Sequence, residues 1–297
     1  MKNKISVPIM LLLPAIVIIV LVIVFPLLFS LYSSFTPYKL LKPDSLYHFI
    51  GFANYIKLFN SSDFWISFGR TIMVLTIAIN VEFLLGLGTA LLINKITYNA
   101  RLIRTIMMFP MMFSPILVGF MFKFMFNDNI GVVNNLLYEF NWISEDIAWL
   151  VDGKLALFSI LSAEIWSSTS VFAILLLAGL MAVPREPIEA AKIDGCTPVQ
   201  TFKYITLPYL MPFIYIAMTI RSLDIARAYD IIKIMTNGGP AGRTEILWTM
   251  IARTGFVDSK MGLANAMAYI SIIVSIFFTY YFFNKLNRIK KENMGAL

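Results

Sequence analysis

Residues 155–183, LALFSILSAEIWSSTSVFAILLLAGLMAV, decide the fold of this chain because they form a long apolar run whose one charged residue is Glu164. A helix needs about 20 mostly apolar residues to cross the roughly 30 Å hydrocarbon core of a membrane. This run is long enough, and a polar segment that begins at Pro184 follows it at once. The stretch therefore predicts a transmembrane helix.

The composition extends this interpretation to the whole chain. Of 297 residues, 59% are hydrophobic and 14% are charged, and the mean hydropathy is +0.78. Soluble domains contain about 45–50% apolar and about 25% charged residues, so a soluble enzyme is excluded. We expect an all-α integral membrane protein with six transmembrane helices and lipid as its main solvent. The predicted helices cover residues 8–34, 71–94, 105–122, 155–183, 204–220 and 261–284.

Basic residues lie between these runs in a pattern that predicts the orientation. Cytoplasmic loops of membrane proteins carry an excess of Lys and Arg. With the N-terminus inside, Lys2 and Lys4 and the basic residues of segments 95–104 and 285–291 all fall on the cytoplasmic side. The first run exceeds the about 7–15 apolar residues of a signal peptide, so we interpret it as an uncleaved helix. Both termini are therefore predicted to be cytoplasmic.

The net charge and the reactive residues exclude several functions. The net charge is +7, but no basic groove is interleaved with stacking aromatics, so we expect no nucleic-acid partner. The single cysteine, Cys196, and the single histidine, His48, leave no basis for a disulfide within the chain or a metal cluster. A membrane-embedded enzyme is disfavoured because the sequence contains no set of a nucleophile and a base.

Residues 184–208 form a polar loop that predicts two short helices. The Glu- and Ala-rich stretch 186–192 favours a helix, and Gly195 provides a helix stop because glycine tolerates the left-handed conformation. Thr197, Pro198 and Gln200 match the start of a second helix with a capping box. On the cytoplasmic face, such a pair suits docking into the groove of another subunit. An ordinary structured loop is the alternative interpretation.

This loop also carries a recognisable signature. Glu189-Ala190-Ala191, three residues, Gly195, nine residues, and Ile205-Thr206-Leu207-Pro208 reproduce the EAA signature in full. The chain resembles the permease subunits of bacterial binding-protein-dependent ABC importers of carbohydrates, in particular the maltose-type F-subunit group. Further segments of the same family follow in order: Gly51-Phe52-Ala53-Asn54-Tyr55, Trp149-Leu150 and Thr236-Asn237-Gly238-Gly239-Pro240.

The resemblance implies one transmembrane permease domain over residues 1–297, with the type I importer fold and the coupling loop 184–208 within it. It implies that the chain lies in a bacterial cell membrane and has four kinds of partner: a second permease, two ATPase subunits, an extracytoplasmic solute-binding protein and a sugar or oligosaccharide. ATP and Mg²⁺ are expected only on the ATPase subunits, so this chain is expected to be non-catalytic and without a cofactor. The coupling residues implied are Glu189, Ala190, Ala191, Asp194, Gly195, Leu207 and Pro208.

A cluster of polar residues in the fourth run predicts a solute pathway. Glu164, Ser167 and Ser168 lie in mid-helix, where a carboxylate in lipid is costly unless it is paired or faces a cavity. Serines in membrane helices also serve as packing contacts, and that alternative stays open. By the resemblance, Arg221, Asp224 and Tyr229 of the next helix would line the same cavity.

The remaining charges allow more than one interpretation. Glu82 is expected to form an ion pair with Arg70 or Arg221, or to line the path. If helix 5 continues past Ile220, it carries Arg221, Asp224, Arg227 and Asp230 at spacings of three and four. Arg221 and Arg227 would then suit an acidic sugar, and we expect a neutral or acidic oligosaccharide. The alternative function is a secondary transporter or channel that uses Glu82 and Glu164 as ion carriers.

Overall fold

The computed structural model describes residues 7–96, 98–225 and 228–294, and these residues are organised in helices. The predictions that concern Lys2, Lys4 and Arg227 lie outside them. The α-helices are α1 Val7–Ile19, α2 Phe25–Ser34, α3 Ala53–Phe59, α4 Ser62–Lys95, α5 Ala100–Met108, α6 Pro115–Met125, α7 Val132–Glu139, α8 Gly153–Met181, α9 Arg185–Ile193, α10 Pro198–Thr201, α11 Leu207–Ile225, α12 Asp230–Met235, α13 Leu247–Ala252 and α14 Met261–Met294.

Within these residues, five helical segments are long and apolar enough to cross a membrane. Two of them contain a short π-helical stretch, at Val20–Val24 between α1 and α2 and at Phe202–Thr206 before α11. The all-helical membrane fold predicted from the sequence is confirmed. The five segments are Leu11–Ser34, Ser62–Lys95, Gly153–Met181, Pro198–Asp224 and Met261–Ile289.

The predicted third span, residues 105–122, is not one continuous helix. The chain forms α5, a 3-10 turn at Pro110–Met112 and then α6, a shorter apolar helix. Proline lacks the N–H that an internal helical residue donates, so Pro110 and Pro115 interrupt the ladder of hydrogen bonds. The new helix starts at Pro115, and the Ser114 hydroxyl caps it by accepting from the Leu117 N–H at 3.3 Å.

The described residues divide into two compact units. The first unit contains the residues up to Ile66 together with Met250–Ser271. Within it, the buried Asn54 amide donates to the carbonyl oxygens of Ser34 and Thr36, both at 2.8 Å, and so fixes the turn that follows α2. In the Leu11–Ser34 segment, none of the residues of the most apolar stretch is buried, which is typical of a lipid-facing helix.

The second unit contains Ser67–Thr249 and the residues from Ile272 onward, and α8 is its central helix. Glycines permit close contact on two sides of this helix. Gly86 of α4 lies directly against Phe172, and a Cβ atom at Gly179 would lie 2.7 Å from the Leu210 side chain of α11. These contacts bring the charged residues of α4, α8 and α11 within reach of one another.

The start of α8 is set by Asp152. Its carboxylate accepts from the backbone N–H groups of Leu155 at 3.1 Å and Lys154 at 2.9 Å, as a helix N-cap does. These two hydrogen bonds stabilise the ionised form and lower the pKa of Asp152. The N-cap therefore fixes where α8 begins, on the N-terminal side of Glu164.

Candidate solute cavity and coupling segment

A buried ionic cluster joins three long helices of the second unit. The Arg221 guanidinium of α11 donates to both carboxylate oxygens of Glu82 on α4, from Nε at 2.9 Å and from Nη2 at 3.1 Å. Nη2 also donates to Glu164 of α8 at 2.9 Å. Of the two partners expected for Glu82, the structure selects Arg221, and the predicted ion pair is confirmed.

The members of this cluster differ in their access to solvent. The side chain of Glu82 is fully buried and that of Arg221 is 6% exposed, whereas Glu164 is 14% exposed. Asp224, one turn further along α11, is 52% exposed and lies 3.6 Å from Nη1 of Arg221. The cluster is therefore closed at Glu82 and opens toward Asp224. A buried ion pair is stable only while both partners remain, because removal of one leaves an uncompensated charge.

The open side of the cluster faces a cavity of about 490 Å³. All six residues that the sequence placed on the substrate pathway lie around it, although they come from two long helices and the segment after them. Pro115 and Ile231 also line the cavity and were not predicted from the sequence. The lining residues are Pro115, Glu164, Ser167, Ser168, Arg221, Asp224, Ala228, Tyr229, Asp230 and Ile231.

The polar residues of α8 have different roles in this arrangement. Ser167 and Ser168 line the cavity, and the Ser167 hydroxyl donates to the carbonyl oxygen of Glu164 in its own helix at 3.0 Å. Trp166 instead packs against the rings of Phe113 and Phe122, at centroid distances of 6.2 and 5.6 Å. The indole therefore serves apolar packing, while the neighbouring serines line the cavity.

The end of α11 differs from the expectation of one helix that continues past Ile220 as far as Asp230. The helix continues past Ile220 as expected, but it ends at Ile225, and Asp230 begins the separate helix α12. Arg227 lies outside the described residues. Close packing holds α12 against α6, where the nearest heavy atom to a Cβ at Gly119 would be Ile234 at 3.1 Å. Asp230 reaches the cavity through this packing, which its position in the sequence did not predict.

Arg70, the other partner considered for Glu82, instead binds backbone carbonyl groups of a loop. Its Nη1 atom donates to the carbonyl oxygens of Gly242 at 2.8 Å and Glu245 at 2.6 Å. The same loop contains a Thr244 hydroxyl that donates to the carbonyl oxygen of Gly239 at 2.6 Å. The segment after α12 is therefore tied to α4 through backbone atoms, and Arg70 positions the loop.

The coupling segment, which we define as residues 185–201, forms the two predicted short helices, α9 and α10. Between them Gly195 has a φ of +78° with open space around it, so the predicted helix stop is confirmed. The predicted capping box is present: the Thr197 hydroxyl accepts from the Gln200 N–H at 3.3 Å, and the Gln200 side chain accepts from the Thr197 N–H at 2.8 Å.

This segment has little contact with the rest of the chain. Glu189, Ala190 and Asp194 are exposed, and only Ala191 of the predicted coupling residues is buried. Two apolar side chains that the sequence analysis passed over are also exposed, Ile193 at 86% and Val199 at 74%. Large apolar side chains held in the open on an ordered helix pair are typical of a contact surface for another protein.

Apolar spans, a charged cavity between them and an exposed pair of short helices define a membrane transport permease. The chain belongs to the family of binding-protein-dependent transport system inner membrane components, whose profile matches residues 82–289. It is therefore a multi-pass membrane protein of a binding-protein-dependent ABC transporter. The resemblance that the EAA signature indicated is confirmed.

Named relatives match nearly the whole chain. A probable ABC transporter permease protein, y4oQ of Sinorhizobium fredii, is 34% identical over 92% of this chain and 87% of its own length. The trehalose/maltose transport system permease protein MalF of Thermococcus litoralis is 28% identical over 95% of this chain and 94% of its own.

The fold also matches a solved structure. In a crystal structure of a bacterial alginate ABC transporter in complex with an alginate pentasaccharide-bound periplasmic protein, one chain has a TM-score of 0.80 to this one. Its sequence is 23% identical, and the match covers 95% of this chain and 94% of that one. The expected ABC importer permease fold is confirmed.

Proposed function

We propose that this chain forms one half of the translocation pathway for a sugar or oligosaccharide in a binding-protein-dependent importer. The observation that carries the proposal is the cavity beside Arg221, whose lining combines the hydroxyl-bearing residues Ser167, Ser168 and Tyr229 with carboxylates. Hydroxyls and carboxylates are the groups that hydrogen-bond sugar hydroxyls. The permease of Thermococcus litoralis, named for trehalose and maltose, supports a carbohydrate substrate.

The partners follow from the exposed coupling segment. A second permease would complete the pathway, and two ATPase subunits would bind ATP and Mg²⁺ and receive α9 and α10 in a groove. An extracytoplasmic solute-binding protein would deliver the sugar, as the periplasmic protein in the alginate transporter supports. This chain would be non-catalytic, with both termini cytoplasmic, and its short helices would convert ATPase closure into motion of the spans.

In this proposal the contact with the ATPase centres on Glu189, Ala190, Ala191, Asp194 and Gly195. The small side chain of the exposed Ala190 permits a close approach, whereas Ala191 is buried within the chain, and the positive φ of Gly195 sets the angle between the two short helices. Leu207 and Pro208 begin α11, which carries Arg221. Movement of the coupling segment would thus be transmitted along α11 to the cavity.

Secondary transport is the competing function, with Glu82 and Glu164 as proton carriers. Both carboxylates accept hydrogen bonds from the Arg221 guanidinium, so each is held in a fixed contact within the chain and neither is free to act as a mobile carrier. That arrangement favours a structural role for Glu82. It also agrees with a transporter that takes its energy from a separate ATPase.

Co-purification tests the proposal. The tagged chain is extracted from its native membrane in mild detergent, and the proteins that accompany it are identified by mass. We expect an ATPase and a second permease, both lost in Gly195→Trp. Gly242→Trp is the matched control, because Gly242 also has a positive φ, +72°, and open space around it, but lies outside the coupling segment. A chain that comes out alone, or as a homo-oligomer, contradicts the proposal.

A further inference from the structure

The charges around the cavity carry an inference about its substrate class, which rests on the function proposed above. Among the described lining residues, three carboxylates, Glu164, Asp224 and Asp230, face the cavity and Arg221 supplies the one cation. The lining therefore carries an excess of negative charge. Glu82 adds a further carboxylate directly behind the guanidinium.

The guanidinium is not free to bind an anion. Its Nε and Nη2 atoms donate to Glu82, Nη2 also donates to Glu164, and Nη1 lies 3.6 Å from Asp224. Carboxylates thus surround Arg221 on three sides. An arginine that recognises a carboxylate or sulfonate needs its planar fork of N–H groups unoccupied, and here most of that fork is used within the chain.

We propose that this cavity accepts neutral and cationic carbohydrates and rejects anionic ones. A negative solute would be repelled by Asp224 and Asp230, and it would have to displace Glu164 to reach the guanidinium. A neutral sugar gains hydrogen bonds to the carboxylates at no such cost, and an amino sugar gains an ion pair as well. The low dielectric of a partly enclosed site strengthens each of these effects.

Charged thiol reagents measure this selectivity without knowledge of the natural sugar. In the assembled transporter, Cys196 is first replaced by serine, and Ser167→Cys then places one thiol on the cavity wall. Two methanethiosulfonate reagents are used, a cationic one with a trimethylammonium group and an anionic one with a sulfonate group. The rates at which they modify this thiol are compared. Both reagents attack the same thiolate, so their rate ratio cancels any change in thiol ionisation. The rates of the same two reagents with a small neutral thiol free in solution, 2-mercaptoethanol, supply the reference ratio.

We expect the ratio of cationic to anionic rates at Ser167→Cys to exceed the reference by at least about 10-fold at low salt, and to fall as salt is added. Neutralisation of the lining by Asp224→Asn with Asp230→Asn should lower the ratio several-fold. Glu139→Gln, which removes a negative charge from an exposed site on α7, is the matched control and should leave it unchanged. Tyr229→Cys provides a second cavity thiol if Ser167→Cys does not fold.

A ratio at the cavity thiols equal to the reference or below it overturns the inference. So does a raised ratio that the Asp224→Asn and Asp230→Asn pair leaves intact, because the charge would then arise elsewhere. Failure of the proposed function can be distinguished from failure of this inference. The first is measured by whether an ATPase and a second permease co-purify with the chain, and the second by the rates of thiol modification.

Discussion

The ionic cluster around Arg221 and the coupling segment 185–201 contain many polar residues, but they are built in opposite ways. In the cluster, charges from α4, α8 and α11 satisfy one another at 2.9–3.1 Å, with Glu82 fully buried. In the coupling segment, Ile193 and Val199 stand exposed. The charges of the first region are paired within the chain, whereas the second region, in the function proposed above, is completed by the ATPase. Substitutions should therefore affect stability in the first region and assembly in the second.

The largest expected effect comes from Arg221→Met. It leaves Glu82 fully buried without a counter-charge, and breaking a buried ion pair in this way costs about 3–5 kcal/mol. The free energy of unfolding in mixed micelles measures the loss. The double variant Arg221→Met with Glu82→Leu is the control and should regain much of the stability, because no uncompensated charge remains at that site. A single variant as stable as the parent would contradict the buried cluster.

A smaller effect separates the two carboxylates. Glu82→Gln weakens two hydrogen bonds to Arg221 at a fully buried site, and we expect it to cost about 1.5–3 kcal/mol. Glu164→Gln weakens one bond at the cavity wall, where water can compensate, so its cost should be clearly lower. Chemical unfolding of the two variants side by side measures the difference. Equal losses of unfolding free energy in the two variants would contradict the conclusion that the cluster is closed at Glu82 and open at the cavity side.

Within the coupling segment, Thr197→Ala removes one half of the capping box. The loss of a Thr N-cap costs about 1 kcal/mol of helix stability. We expect faster backbone hydrogen exchange confined to α10, with no change at Arg221 or Glu82, because the segment has little contact with the rest of the chain. Thr206→Ala, in the π-helical stretch that follows α10, is the control. Exchange that spreads to α4 or α8 would argue against separate regions.

The smallest effect on stability is expected for Ile193→Ser. An exposed substitution changes the free energy of unfolding by within about 0.5 kcal/mol, yet it removes an apolar side chain from the proposed contact with the ATPase. The amount of ATPase retained during purification should therefore fall sharply while the melting temperature stays constant. Ile130→Ser is the matched control, because Ile130 is also exposed, at 58%, but lies outside the segment. Equal ATPase retention in the two variants would remove Ile193 from the contact.

The coupling segment was almost fully predictable from the sequence. The N-cap of α10, its capping box and the stop at Gly195 are local features, set by residues within a few positions of each other. The exposure of Ile193 and Val199 was not predicted, because composition alone does not say which face of a four- to nine-residue helix is left uncovered.

The cavity was predictable only in part. Glu164, Ser167 and Ser168 stand out as polar residues in an apolar helix, and they do line it. The partner of Glu82 could not be chosen, since Arg221 lies 139 residues away in the chain and only tertiary packing brings them together. The placement of Asp230 and Ile231 depends on α12 packing against α6, which no local pattern encodes.

The third span was interpreted wrongly as one continuous helix for a reason already present in the sequence. Hydropathy does not register the missing N–H of proline, so the apolar run across Pro110 and Pro115 was taken as continuous. The two prolines and the Ser114 cap mark the break. Apolar length predicts membrane insertion, whereas helix continuity depends on the backbone hydrogen bonds.

The most direct test of the contrast between the two regions is hydrogen exchange on the assembled transporter before and after its ATPase subunits are stripped off. We predict that amides of residues 185–201 exchange much faster once the ATPase is removed, whereas those around Glu82, Glu164 and Arg221 stay equally slow. Unchanged exchange in the coupling segment, or a loss of protection around Arg221 alone, would contradict the account.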